Sequence, residues 1–415
     1  MQIKLIAPRL LRHETELPAS KSISNRALIL QALAGGKYMP QHISDCDDTA
    51  VMLKALTDPG DPVDIKAAGT AMRFLTAYFA VKEGTRTLTG TTRMKQRPIG
   101  ILADALKKLG TQIEYVENEG FPPLRITGGR HHGGRISLPG NVSSQYISAL
   151  LMIGPVLDDG LELELTGEII SRPYIALTLH LMADFGAQAE WTDDRHIRVH
   201  PVPYRPTPYY IEGDWSAASY WYEMMALTPD QDARIVLHGL SPDSYQGDAA
   251  VVRLFEPLGV CTRFFRNTEG LDCVELTKHP GRAQRMDYDF VNQPDLAQTF
   301  VTTCAMLKMP FHFTGLQSLR IKETDRIAAL IRELGKLGYS LETDGKAELR
   351  WDGKCGKSQP EAAIDTYEDH RMAMSFAPCC LVRPDIRIND PHVVSKSYPH
   401  YWDDLKKAGF EITMP

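Results

Sequence analysis

Lysines and arginines recur in this sequence at the starts of apolar segments, where they could bind small anions. Two carboxylates, Asp295 and Glu323, lie among them. Arginine forms paired hydrogen bonds with carboxylate and phosphate groups, and a carboxylate held among cations can transfer protons. The pattern therefore predicts acid–base chemistry on small polyanionic substrates. The polar and charged residues at these starts are Lys21, Ser22, Arg26, Thr70, Arg73, Arg97, Ser143, Ser144, Gln145, Lys322, Arg326, His370, Arg371 and Lys396.

Six segments must position these residues. Each has a short polar cluster followed by about ten small and apolar residues, which is typical of a helix buried on all sides. The N-terminus of such a helix offers unpaired backbone N–H groups and the positive end of the helix dipole, and both favour anion binding. The six segments begin at Ser20, Gly69, Ser143, Asp214, Pro294 and Asp369.

A second pattern runs in phase with the first, at intervals of about 75 residues. An apolar helix ends at a glycine and a β-like segment follows, because glycine tolerates the left-handed conformation that turns the chain back. Together the two patterns predict an α/β protein of six repeated βαβα-type units, three in each of two domains. The glycines that mark the second pattern are Gly110, Gly186, Gly259, Gly338 and Gly409.

The domain boundaries follow from the same repeats. A chain of 415 residues suits two domains. No copy of the second pattern falls in residues 55–66, so the first unit is predicted to be shortened. The proline-rich residues 201–210 favour an extended linker. We therefore predict one lobe over residues 18–211 and a second lobe over residues 212–415, with residues 1–17 added to the second.

Composition excludes several classes of protein. The net charge of −6 and the pI near 6.1 argue against a nucleic-acid binder, which would need a basic excess. No window approaches the roughly 18 uninterrupted apolar residues of a membrane span, and no signal peptide is expected after Met1. The seven cysteines show no CxxC spacing, so we expect reduced thiols in a cytoplasmic protein.

Each motif also has an ordinary structural interpretation. The KETDR segment at Lys322 could be a solvated first helical turn, and DHRMAM at Asp369 could be a simple N-cap before a core helix. Recurrence argues against this, because independent caps have no reason to bring a cation each time. The pair His131 and His132 between glycines predicts a hairpin tip rather than a metal site, and Asp48 is predicted to lie in an acidic first helical turn.

Taken together, the motifs resemble those of the 5-enolpyruvylshikimate-3-phosphate synthase (EPSP synthase) family, the 3-phosphoshikimate 1-carboxyvinyltransferases. The resemblance covers essentially the whole chain, with the motifs in the family's order. It implies a two-domain inside-out α/β barrel, the enolpyruvyl transferase fold, with the active site in the cleft between the lobes. The motifs are SKSISNRAL from Ser20, AGTAMR from Ala68, RMKQRPIG from Arg93, SSQY from Ser143, IISRPYI from Ile169, QPDLA from Gln293, IKETDRI from Ile321, EDHRMAM from Glu368 and SKSYP from Ser395.

The resemblance also implies which residues bind the two substrates. Residues on the shikimate 3-phosphate side would be Lys21, Ser22, Arg26, Ser143, Ser144, Gln145, Ser171, Asp295 and Lys322. Residues that meet phosphoenolpyruvate would be Lys21, Gly69, Arg97, Gln145, Arg326, Arg371 and Lys396.

The implied reaction transfers the enolpyruvyl group of phosphoenolpyruvate to the 5-hydroxyl of shikimate 3-phosphate, through a tetrahedral intermediate that loses phosphate. This is a step of chorismate and aromatic amino-acid biosynthesis. The reaction needs an acid and a base. Asp295 would act near the hydroxyl, Glu323 would deliver and remove the proton at C3, and Lys21 would stabilise charge. No cofactor, metal or macromolecular partner is expected, and we expect a monomer.

Three positions depart from the family's usual motifs. Ala67 stands where Asn is common, Phe74 where Pro is common, and Ser318 where some members have a substrate-binding Asn. Two alternative functions follow from the same sequence. One is a UDP-N-acetylglucosamine enolpyruvyl transferase, and the other is a non-catalytic paralogue that keeps an anion site.

Overall fold

The computed structural model describes residues 1–58, 60–359, 361–384 and 386–414. The chain forms two compact units. The N-terminal unit comprises Ala19–Ile211, and the C-terminal unit comprises Met1–Pro18 together with Glu212–Pro415. Each unit has its own hydrophobic core, with Phe74 among the fully buried side chains of the first and Trp221 among those of the second.

The helices that begin the repeats are buried along almost their whole length, as their composition predicts. Within the described residues the α-helices are α1 (Lys21–Leu33), α2 (Asp47–Thr57), α3 (Gly69–Ala80), α4 (Gly100–Lys108), α5 (Ser144–Ile153), α6 (Arg172–Asp184), α7 (Trp215–Leu227), α8 (Val251–Phe255), α9 (Ala297–Met306), α10 (Arg326–Lys336), α11 (His370–Phe376) and α12 (Tyr401–Lys407). The predicted helix starts at Ser20, Gly69, Ser143, Asp214, Pro294 and Asp369 fall at or within three residues of α1, α3, α5, α7, α9 and α11.

Short strands connect these helices. They are β1 (Gln2–Ile6), β2 (Arg12–Glu16), β3 (Val63–Asp64), β4 (Gly84–Thr89), β5 (Gln112–Tyr115), β6 (Leu124–Gly128), β7 (Gly134–Pro139), β8 (Leu161–Thr166), β9 (Ala189–Trp191), β10 (His196–Val199), β11 (Arg234–His238), β12 (Val260–Arg266), β13 (Asp272–Lys278), β14 (Met286–Asp289), β15 (Phe311–Thr314), β16 (Leu349–Trp351), β17 (Ala363–Ile364), β18 (Arg387–Asn389) and β19 (Glu411–Thr413).

The sheets repeat one topology. In the N-terminal unit the strand orders are β3-β4-β6-β5 and β7-β8-β10-β9, and in both sheets the first two strands are parallel and the others antiparallel. A buried helix joins the two parallel strands, since a parallel connection requires a crossover. The C-terminal unit has β2-β11-β13-β12, β14-β15-β16 and β17-β18-β1-β19. Within the described residues these sheets are open, and none closes into a barrel.

The first strands of the chain complete sheets of the C-terminal unit. Strand β1 pairs with both β18 and β19, and β2 runs parallel to β11. The N-terminal residues therefore fill strand positions in two repeats that lie far away in sequence. This pairing explains why Met1–Pro18 belongs to the same unit as Glu212–Pro415.

The first repeat is reduced. Between residues 49 and 66 the described chain forms the rest of α2 and the two-residue strand β3, which joins the sheet of the next repeat. Among the described residues, the first repeat has one isolated β-bridge, between Gln41 and Tyr210, in place of a sheet of its own.

Two local predictions were wrong. After Gly338 the structure has isolated bridges at Tyr339 and Glu342 instead of a strand, because the pairings of Tyr339 with Cys355 and of Glu342 with Arg350 are not in one continuous register. His131 is not at a hairpin tip, since it connects β6 and β7, which belong to different sheets. Its Nε2 lies 2.9 Å from the carbonyl oxygen of Ala80. In the described part of the chain, no helix is long and apolar enough to cross a membrane.

Candidate functional site

In the C-terminal unit, the loop before α10 and the starts of α9 and α11 bring three carboxylates and three cations together. Asp295 lies in the 3-10 turn Pro294–Leu296 that leads into α9, and Asp369 is the N-cap of α11. Asp325 caps α10 by accepting a hydrogen bond from the backbone N–H of Ala328, which places Arg326 in the first turn. We call this set the mixed-charge cluster: Asp295, Lys322, Glu323, Arg326, Asp369 and Arg371.

Arg326 lies at the centre of the mixed-charge cluster, with a side chain that is only 2% exposed. Its guanidinium donates from Nε to Asp369 at 2.7 Å, and from its two terminal nitrogens to Asp295 at 3.1 Å and Glu323 at 3.0 Å. Burial alone would lower the pKa of Arg326, but the three carboxylates raise it above its usual value. Arg326 therefore remains charged and fixes the two predicted catalytic carboxylates relative to each other.

Asp295 is also held by two other cations. Arg371 approaches its Oδ2 at 3.3 Å, and the Lys322 ammonium lies 3.3 Å from Oδ1. Burial would raise the pKa of Asp295, but Arg371, Lys322 and Arg326 together hold it well below its usual value. Asp295 is therefore an ionised acceptor at neutral pH, before any substrate binds.

In the N-terminal unit, the predicted residues lie at helix starts with far fewer carboxylates nearby. Ser20 caps α1 by accepting from the N–H of Ile23, and the next residue, Lys21, lies 3.8 Å from Asp48. Asp48 lies in the acidic first turn of α2, as the sequence predicts.

Arg26 is buried without an acidic partner among the described residues. It donates to the hydroxyls of Thr178 at 2.8 Å and Ser148 at 3.1 Å, and to the carbonyl oxygen of Ser22 at 2.9 Å. Its guanidinium also lies over the ring of Phe74. Burial lowers the pKa of Arg26 to about 10, so the group remains protonated at neutral pH. A buried cation with neutral partners retains its full attraction for an incoming anion.

The start of α3 faces a second guanidinium. A Cβ atom built on Gly69 would lie 2.5 Å from one terminal nitrogen of Arg97 and 2.9 Å from one of Arg73. Glycine is therefore needed at this position for the close approach of Arg97 to the helix start. No ion pair of Arg97 is found within the described residues, and its Nε is buried without a hydrogen-bond partner there. We call Lys21, Arg26 and Arg97 the cationic group.

The polar residues of α5 and α6 complete this side. Gln145 donates to the Thr70 hydroxyl at 3.1 Å, which joins the starts of α5 and α3. Ser143 caps α5, Ser144 begins it, and Ser171 precedes α6 with a left-handed φ of 55°. These positions follow from the cap signals that the sequence shows.

Lys396 is not drawn into the mixed-charge cluster. It ends the 3-10 helix Pro391–Lys396, and its side chain has no hydrogen bond or ion pair with the residues that the structure describes. The described residues contain no group of three or more His, Cys, Asp or Glu side chains that could hold a metal ion.

Two residues that contact Arg26 are not predicted from the sequence, namely Thr178 and Ser148. Asp48 and Asp369 are predicted as helix-start residues, but their pairing with Lys21 and Arg326 is not. Only the packing of separate helices brings these residues to the cations.

Solved structures define the class of the fold. The chain is similar to EPSP synthase from Acinetobacter baumannii, with a TM-score of 0.76 at 20% identity and with 100% of both chains covered. It is also similar to the enolpyruvyl transferase NikO from Streptomyces tendae, with a TM-score of 0.73 at 16% identity and coverage of 99% and 98%. The α/β class and the enolpyruvyl transferase fold predicted from the sequence are confirmed.

Sequence comparison identifies the family. Residues 55–405 match the family model of EPSP synthase (3-phosphoshikimate 1-carboxyvinyltransferase). A 3-phosphoshikimate 1-carboxyvinyltransferase of Bacteroides fragilis is 58% identical over 412 residues, covering 99% of each chain. One from Vibrio cholerae is 37% identical and covers 95% of this chain and 96% of that protein. The chain belongs to the EPSP synthase family, as its motifs predict.

Proposed function

We propose that this protein transfers the enolpyruvyl group of phosphoenolpyruvate to the 5-hydroxyl of shikimate 3-phosphate and releases phosphate, in the shikimate pathway. One observation carries the proposal. Asp295 and Glu323 lie 3.1 and 3.0 Å from the same buried guanidinium, that of Arg326. The chemistry needs two carboxylates in fixed positions beside a cation, because protons and negative charge move in both steps.

In the first step, the substrate hydroxyl oxygen bonds to C2 of phosphoenolpyruvate while C3 gains a proton. Asp295 accepts the hydroxyl hydrogen bond, and Glu323 donates the proton to C3. The low pKa of Asp295 makes it a weak base in the free protein, so the hydroxyl proton passes to Asp295 only as the carbon–oxygen bond forms. In the second step, C3 returns a proton to Glu323, the carbon–oxygen bond to phosphate breaks, and the leaving phosphate takes the proton from Asp295.

The other predicted residues take binding roles in the proposal. Arg326 and Arg371 provide forked donors for the phosphoenolpyruvate anion, and Lys21 stabilises the charge that develops on it. Lys396 has no internal partner in the described structure, so its ammonium is available for the same anion. The proposed contacts to shikimate 3-phosphate are Ser22, Arg26, Ser143, Ser144, Gln145, Ser171 and Lys322, and those to phosphoenolpyruvate include Gly69 and Arg97.

We further propose a monomeric, cytoplasmic enzyme. Each of the seven cysteines is free of a disulfide, which suits a reducing compartment. Analytical ultracentrifugation of the purified protein should give the mass of one chain, 46.4 kDa. A stable dimer would contradict this part of the proposal.

Phosphate release tests the activity directly. The purified protein is mixed with phosphoenolpyruvate and either shikimate 3-phosphate or UDP-N-acetylglucosamine. We expect release with shikimate 3-phosphate only. Release with the sugar nucleotide would favour the alternative transferase, and calorimetric binding of both substrates without release would favour a non-catalytic protein.

A further inference from the structure

Arg371 is held by a short chain of residues that the proposed mechanism does not use. Asp248 lies in the 3-10 turn Gly247–Ala250 and is only 4% exposed. One of its oxygens accepts a short hydrogen bond from the hydroxyl of Ser216, in the first turn of α7. Its other oxygen, Oδ1, is buried without a hydrogen-bond partner among the described residues. A buried carboxylate in this condition needs an explanation, because desolvation of an unpaired oxygen is unfavourable.

The hydrogen bond from Ser216 to Asp248 decides which way the hydroxyl points. Its single proton is used in that bond, so the Ser216 oxygen presents lone pairs to its other neighbour. That neighbour is the Arg371 guanidinium, whose terminal nitrogen lies 3.4 Å away. Arg371 also donates to the Tyr220 hydroxyl at 3.4 Å and to the backbone oxygen of Asp295 at 3.2 Å. Ser216 is thus one of the acceptors that fix the plane of this guanidinium.

We propose that Asp248 is a positioning residue for Arg371. It acts through the Ser216 hydroxyl, and it thereby sets the affinity for the substrate that Arg371 binds. The inference rests on the proposed function, in which that substrate is phosphoenolpyruvate. Asp248 itself does not touch substrate in this account.

Charge around Asp248 adds a pH dependence. Burial, followed by the nearby carboxylate of Asp295, raises the pKa of Asp248 to about 7, while Arg371 and the Ser216 hydrogen bond oppose the shift and Asp214 adds to it. Below this pH the protonated Asp248 can donate to Ser216, whose own proton then turns toward the donors of Arg371. Arg371 therefore loses Ser216 as an acceptor as the pH falls through about 7, and its affinity for the substrate decreases.

The first test uses four variants of the full chain. In Asp248→Asn and in Ser216→Ala, we expect the KM for phosphoenolpyruvate to rise about tenfold, as for the loss of one hydrogen bond to a charged group. The KM for shikimate 3-phosphate should stay within about twofold. The double variant should be no worse than either single variant, since both break the same chain. Asp248→Glu should keep part of the wild-type affinity, because it keeps the carboxylate.

Asp404→Asn is the matched control. Asp404 is likewise a buried aspartate of this unit, and it accepts from the Tyr398 hydroxyl at 2.9 Å. The Asp404→Asn variant should lower thermal stability without a selective change in the KM for phosphoenolpyruvate or for shikimate 3-phosphate. If Asp248→Asn behaves like this control, or raises both KM values equally, or adds to Ser216→Ala, the inference is wrong.

The pH profile is the second readout. Because the phosphate of the substrate itself titrates near pH 6, the measured quantity is the ratio of variant to wild-type KM at each pH. For Asp248→Asn this ratio should be largest near about pH 8 and should approach one near about pH 6. A ratio that does not change with pH would overturn the role of the Asp248 charge. Wild-type protein that bound phosphoenolpyruvate without releasing phosphate would contradict the proposed function, and the same ratios could then be measured by calorimetry.

Discussion

The cations of the two units differ in how many carboxylate partners they have. In the C-terminal unit, all three cations of the mixed-charge cluster contact Asp295, and Arg326 also pairs with Glu323 and with the buried Asp369. In the N-terminal unit, Arg26 and Arg97 have no carboxylate partner among the described residues. Charge that is compensated internally can orient acids and bases, whereas charge that is not compensated attracts a ligand. We therefore assign proton transfer to the carboxylates of the first set, whose arginines also bind phosphoenolpyruvate, and the capture of a second anion to the cations of the second set.

The largest effect should come from removing one carboxylate charge of the mixed-charge cluster. Asp295→Asn keeps the size of the side chain but loses the ionised acceptor, so kcat should fall by about 10²- to 10⁴-fold. The affinity for shikimate 3-phosphate should also change, because an amide presents a donor to the sugar hydroxyls. Steady-state kinetics and calorimetry measure the two effects.

Asp287→Asn is the control for this change, since Asp287 is exposed and forms its ion pair with Arg285, outside the mixed-charge cluster. It should leave kcat unchanged. A kcat for Asp295→Asn within about tenfold of wild type would remove Asp295 from the chemistry.

A stability comparison should separate the two units next. Arg326→Met leaves Asp295, Glu323 and Asp369 without their shared cation, and breaking such a buried network costs about 3–5 kcal/mol. Arg26→Met removes a cation with neutral partners only, and Thr178 and Ser148 can still bond each other at 2.8 Å. Its cost should be about 1 kcal/mol. Chemical denaturation of the ligand-free variants measures both values, and equal losses would contradict the comparison.

The smallest effect should come from the start of α3. Gly69→Ala places a methyl group 2.5 Å from Arg97, but the atom it meets is the end of a flexible side chain that can move. We expect the KM for phosphoenolpyruvate to rise several-fold, by roughly 1 kcal/mol, with little change in thermal stability. The matched control is Gly335→Ala, where an added Cβ meets nothing within 4 Å. An unchanged KM would show that Arg97 does not depend on this close approach.

Acid stability gives a further contrast. The pKa of Asp295 is lowered on folding, so its charge stabilises the folded state above the unfolded value near 3.9 and loses this effect as the pH falls through the folded value. The stability difference between wild type and Asp295→Asn should therefore shrink below about pH 4. Arg26→Met should show no such trend in this range, because Arg26 stays protonated throughout. Denaturant titrations at several pH values would detect the difference.

Much of this arrangement can be read from the sequence, because it depends on local signals. The buried helices are visible as apolar segments without a polar face, and their cap residues place Lys21, Ser143 and Arg326 at helix starts. The family motifs then identify the same positions. Asp248 and Ser216 could not be found in this way, since they meet Arg371 only through the packing of a separate turn against α7 and α11.

The strand pairing of β1 and β2 also lies beyond local signals. Their partners β18 and β11 are hundreds of residues away, and nothing in the first residues specifies them. The missing strand after Gly338 shows the opposite case. There the helix–glycine signal is present and buried Tyr339 and Leu341 alternate with exposed residues, as in a strand. The two isolated bridges at Tyr339 and Glu342 do not join into one ladder, and the local pattern could not show this.

The most direct test of the division of labour compares Glu323→Gln with Arg26→Lys for both kcat and the dissociation constant of shikimate 3-phosphate. Glu323→Gln keeps a hydrogen-bond donor but removes the titratable proton, so kcat should fall about 10²-fold or more while the dissociation constant changes little. Arg26→Lys should weaken binding about tenfold and keep most of kcat at saturation. If Glu323→Gln retained near-normal turnover, or if both variants lost binding and turnover together, the assignment of chemistry to the mixed-charge cluster and capture to the cationic group would be wrong.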